Sequence, residues 1–147
     1  MSNHPLGKII EGFDLHSYYA GINMAFAEVV GAGCKKLALS SPYSHEMADE
    51  MLPATRYAAE EYNVKLMVEP ELLITKLFPS DVAKEKTVIL IAHDQSVLDE
   101  YMKLKKLKEQ SNKEGNPEKI ELEIAQIFGK LLSYDKETIS RLIARRN

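Results

Sequence analysis

Thr87-Val88-Ile89-Leu90-Ile91-Ala92-His93-Asp94 is the stretch on which the reading of this chain turns, because five apolar residues run without a polar break and then meet two ionisable ones. A strand with one wet face alternates apolar and polar residues, whereas an unbroken run marks a strand covered on both faces. Parallel sheets flanked by crossover helices are the usual home of such strands. The stretch therefore predicts an α/β domain, with His93 and Asp94 at the carboxyl end of one strand. Ligands of open α/β sheets gather outside the carboxyl ends of the strands, so these two residues are the first place to look for chemistry.

Two shorter apolar runs precede it, Lys36 to Ser40 and Val64 to Val68, and helical patterns separate them. From Leu15 to Val30, residues such as Leu15, Tyr18, Ile22, Phe26 and Val29 recur at three- and four-residue steps, and Asp14 is placed to cap the first turn. Gly31-Ala32-Gly33 closes that helix. A phosphate-cradling glycine loop follows a strand and opens a helix, so this pair is not a dinucleotide fingerprint. His45 to Tyr62 is a second helical pattern, started by Ser41-Pro42 or by Ser44, in which Pro53 predicts a kink or two abutting helices.

Leu72 to Phe78, between Pro70 and Pro79, reads as a short helix. The link from Glu69 to Lys86 has 18 residues, more than the dozen or so that a parallel crossover requires. The fold expected from these elements is a three-layer α/β/α sandwich with a small, mostly parallel sheet of three to four strands. Right-handed crossovers give the order 2-1-3, with the Leu37 strand in the middle.

Beyond Asp94 the pattern is helical: Gln95 to Gln110, a loop over Ser111 to Pro117, a helix from Pro117 to Leu132, and a last helix capped by Asp135. The expected organisation is one domain over residues 1–147, with an α/β core at 13–110 and a helical hairpin at 117–146. Ile120, Leu122, Ile124, Ile127, Phe128, Leu131 and Leu132 cover more than one side of their helix. That surplus predicts a homodimer joined by these helices; the competing expectation is that the last helix folds back over them within one chain.

A chain of 147 residues with 45% hydrophobic and 28% charged residues is of ordinary globular composition. Its net charge of −3 divides unevenly, at +4 over residues 103–147 and −7 before them. The basic residues of the last third alternate with Glu on helical patterns, and Tyr101 is the only aromatic residue near Lys103 to Lys108, which argues against a nucleic-acid surface. One cysteine, Cys34, forms no internal disulfide, and a reducing, cytoplasmic setting is the expectation. No apolar run approaches the ~20 residues of a membrane span, and Met1 to Ile10 lacks the pattern of a secretory leader.

With a parallel sheet, three strand ends converge: Ser40 to Glu46, Glu69 to Glu71, and His93 to Ser96. His93 is the candidate catalytic residue, because a histidine at a strand end works as acid or base near neutral pH. Ser40, Ser41, Tyr43, Ser44, His45, Glu69 and Asp94 are the candidate ligand-binding residues, with helix starts to favour an anion. Asp94 doubles as a helix cap. A loose metal set of His45, Asp49, Glu69 and His93 is chemically possible, although His45 and Asp49 lack the second histidine of the metalloprotease helix. No motif names a reaction or a cofactor. The expected function is binding of a small anionic metabolite at the strand ends, with or without catalysis. The alternative is a non-enzymatic homo-oligomeric scaffold.

Overall fold

A computed structural model describes residues 3–145. Met1, Ser2, Arg146 and Asn147, at the two ends of the chain and including the last residue of the expected hairpin, lie outside the described residues. A 3-10 turn (Pro5–Lys8) leads into α1 (Leu15–Gly31), β1 (Leu37–Leu39), α2 (His45–Tyr62), β2 (Lys65–Glu69) and β3 (Val88–Ala92). Three helices complete the chain: α3 (Gln95–Lys113), α4 (Glu118–Leu131) and α5 (Lys136–Ala144).

The sheet corrects the expected fold class. It is antiparallel throughout, in the order β1-β3-β2, so β3 and not the Leu37 strand lies in the middle. Leu37 pairs with Ala92 and Leu39 with Leu90, while Lys65 pairs with Ala92 and Glu69 with Val88. The unbroken apolar run of β3 is buried at every position, and the cause is cover on both faces, not strand direction. Val88, Leu90 and Ala92 pack with Val97, Tyr101 and Phe128 on the side of α3 and α4. Ile91 packs with Ala27, Val30 and Ala58 of α1 and α2, and Ile89 with Ala48 and Met51 of α2. Two-sided burial follows from helices on either face and leaves the pairing sense open.

Local signals at the helix ends behave as capping chemistry requires. Asp14, Ser44, Asp94 and Asp135 each accept a backbone amide of the helix they precede. Asn63 ends α2 in the left-handed conformation at φ 54°, and Gly33, at φ 86°, turns the chain out of α1. Pro53 lies inside α2, which is one helix and not two.

Residues 70–87 hold no helix or strand, against the expected helix at Leu72 to Phe78. Side chains take the amides that a helix would have used. Glu71 N donates to Glu69 Oε1, Leu73 N to Tyr101 Oη and Leu77 N to Thr75 Oγ1, at 3.0 Å in each case.

The apolar surplus of α4 is met inside the chain. Ile124, Phe128, Leu131 and Leu132 are buried in one cluster with Leu104 of α3 and Ile139 of α5, and among the seven residues behind the expected homodimer only Ile127 is exposed, at 38%. Gly129 permits the close approach of α5, since a Cβ there would stand 2.6 Å from Ile139. Among the described residues, no helix is long and apolar enough to cross a membrane.

Candidate functional site

Antiparallel pairing separates the strand ends that a parallel sheet would have gathered. β1 and β2 finish beside the start of β3, with Tyr43 bridged to Thr87. His93 stands at the other edge, where its amide donates to Lys36 O at 2.9 Å, just before β1 begins. The expected meeting of His93 with the Ser40 to Glu46 loop therefore does not occur. The loose metal set fails for the same reason: His93 and Glu69 occupy opposite edges. Among the described residues, no three His, Cys, Asp or Glu side chains converge as a metal site.

The edge where β1 and β2 end carries a cavity of about 610 Å³. That lies within the ~300–1,000 Å³ common for small-molecule sites. Its floor is Leu39 and Val88 from the sheet, and its walls come largely from residues 70–85, including Leu72, Leu73 and Phe78. Ile74 and Val82 also line it and are 54% and 45% exposed. The cavity exists because this segment passes over the sheet without forming an element that would fill the space.

A buried carboxylate holds the wall in place. Glu69, 4% exposed at the end of β2, accepts from Glu71 N, from Tyr101 Oη at 2.8 Å and from Lys105 Nζ at 2.9 Å. Lys105 also donates to Glu71 O at 3.0 Å. A charge taken out of water is tolerable only when paired and hydrogen-bonded, and here each bond lands on the first residues of the cavity wall or on α3. Burial, and then the neighbouring Glu69 carboxylate, push the Tyr101 phenol far above its ordinary value. At the segment's other end, His45 Nδ1 and Thr87 Oγ1 hydrogen-bond.

Ser40, Ser44 and Tyr43, also expected to bind a ligand, are engaged structurally, while Ser41 is half-buried and does not line the cavity. Ser40 lines the cavity, but its hydroxyl donates to Ser41 O at 2.9 Å and accepts from Ile89 N at 2.8 Å. Ser44 caps α2 by accepting from Met47 N at 3.1 Å. Tyr43 is 2% exposed and packs edge-on against Tyr19, and its phenol accepts from Asn23 Nδ2 at 3.1 Å.

At the far edge, His93, Asp94, Lys35, Lys36, Ser96 and Glu100 border a smaller depression of about 270 Å³. Asp94 occupies the start of α3, accepting from Val97 N at 3.3 Å and from the Ser96 hydroxyl. The Ser96 bond, followed by that from His93, holds its carboxyl down at about 2. The helix start thus already has its anion. The Lys35 ammonium already has partners, with Nζ donating to Leu132 O at 2.6 Å and lying 5.1 Å from the Tyr134 ring centre, and burial lowers its pKa.

Sequence reasoning missed Leu73, Thr75, Phe78, Tyr101 and Lys105. Of these, Tyr101 alone carried a signal, as an aromatic at a helical core position whose hydroxyl would need a partner. Comparison with protein-family models, curated proteins and solved structures yields no match to this chain.

Proposed function

We propose that this protein is a small-molecule binding domain whose ligand, mainly apolar, occupies the cavity at the carboxyl ends of β1 and β2. The observation that carries this reading is the lining: the surface around the cavity of about 610 Å³ is mostly apolar, with Leu39, Leu72, Leu73, Phe78 and Val88 among the residues that form it. Apolar cavities hold water poorly and accept apolar guests, and each Å² of apolar surface buried is worth about 25 cal/mol.

The anionic metabolite expected from the strand-end serines has little to hold it here. The charged side chains at the cavity are Glu71, Lys84 and Glu85, two acids to one base, and the Ser40 and Ser44 hydroxyls already have partners. The competing reading, a homo-oligomeric scaffold joined by the carboxyl-terminal helices, loses its support because α4 is covered by α3 and α5.

A thermal-shift titration with 2-ethylnaphthalene tests the proposal, since a guest that binds only the native state raises the melting temperature with its concentration. A saturable rise is the expected result. A flat response up to the solubility of the probe contradicts the proposal.

A further inference from the structure

Three hydroxyls line the cavity, and they are not equivalent. Ser40 uses its hydroxyl in both directions, as donor to Ser41 O and acceptor from Ile89 N. Ser80 is exposed and keeps its water. Thr75 is 9% exposed; its Oγ1 accepts from Leu77 N at 3.0 Å, and among the described residues its O–H meets no acceptor. A hydroxyl carries one donor and two acceptor positions. Thr75 therefore keeps an unmet donor on a mostly apolar cavity lining, and a buried donor without a partner costs free energy that a ligand oxygen would recover.

The geometry points to Thr75 as the polar anchor of the site, selecting an apolar ligand that carries an uncharged oxygen acceptor such as a ketone, ester, amide or ether. This inference rests on the cavity being the ligand site. The acceptor is uncharged because Glu71 and Glu85 outnumber Lys84 around the cavity, so a carboxylate would enter against the local charge. Backbone geometry alone makes Thr75 look like a turn residue, whose oxygen steadies the amide two residues on. That role uses its acceptor and leaves the donor free.

The test uses two probes of nearly one shape, 2-acetylnaphthalene and 2-ethylnaphthalene, titrated into the whole chain by ligand-observed NMR. The wild type is expected to bind the ketone about fivefold to tenfold more tightly than the hydrocarbon, the ratio one neutral hydrogen bond supplies. Thr75→Val is expected to bring the ratio of the two affinities toward one, and Thr75→Ser, which keeps the hydroxyl, to keep the preference. The Thr75 methyl resonance reads the same bond without mutation, moving with the ketone and not with the hydrocarbon, should Thr75→Val fail to fold. Equal affinities in the wild type, or a preference that survives Thr75→Val, overturn the role of Thr75 and leave the cavity reading standing. Binding of neither probe overturns both.

Discussion

The two edges of the sheet carry the same kinds of residue and use them in opposite ways. At the edge where β3 ends, His93 and Asp94 stand in water, and the carboxylate serves the first turn of α3. At the edge where β1 and β2 end, the carboxylate of Glu69 is buried and accepts from three donors, one on the segment that walls a cavity and two on α3. An ionisable residue at a strand end is therefore not by itself a sign of chemistry. Its burial and its bonded partners decide whether it caps a helix or shapes a site.

Substitutions on the two sides sharpen this contrast. The largest effect is expected at Glu69→Ala, which removes the countercharge of Lys105 and leaves Tyr101 Oη and Glu71 N without their acceptor. A loss of about 3 kcal/mol in urea unfolding is expected, since removing one partner of a buried pair leaves the other uncompensated, and binding of a naphthalene probe should be lost with the wall. A loss under ~1 kcal/mol, with binding intact, would show that the carboxylate does not hold the wall.

Tyr101→Phe should cost less, about 1–3 kcal/mol, because Leu73 N and Glu69 each lose one buried partner. It also carries a pH signature. Burial raises the Tyr101 pKa above its ordinary 10.0, so the tyrosine's contribution is fully present below pH 10 and declines as pH rises beyond it, where the unfolded chain loses the proton first. Stability measured from pH 9 to 11 should fall less steeply in Tyr101→Phe than in the wild type; parallel curves would remove Tyr101 as the cause.

The smallest effect belongs to Asp94→Ala. The exposed carboxylate, held at about 2 against an ordinary 3.8, contributes above pH 4 and ceases to do so as pH falls toward 2. The difference from wild type should be modest at pH 7, vanish by pH 2, and leave probe binding unchanged. A change in probe affinity would join the two edges and break the contrast.

Much of this architecture was readable residue by residue, because capping and core periodicity are local. Asp14, Ser44, Asp94 and Asp135 declare their helices through side-chain chemistry within three residues. The direction of the strands was not readable. Val88–Ala92 is apolar because helices lie on both faces, and 18 residues from Glu69 to Lys86 suffice for a parallel crossover or an antiparallel return. That single ambiguity separated His93 from the ends of β1 and β2, which a parallel sheet would have placed beside it. The cavity was hidden for a different reason: its wall is irregular because Tyr101, 28 positions away along the chain, takes the Leu73 amide. Propensity over Leu72 to Phe78 contains no trace of that bond.

The central claim is that the ligand site lies at the edge where β1 and β2 end and not at His93. Amide chemical-shift mapping during a titration with 2-acetylnaphthalene tests it most directly. Saturable shifts at Ser40, at residues 71–78 and at residues 82–85, with residues 93–97 unmoved, are the expected result. Saturable shifts centred on residues 93–97 would contradict the claim.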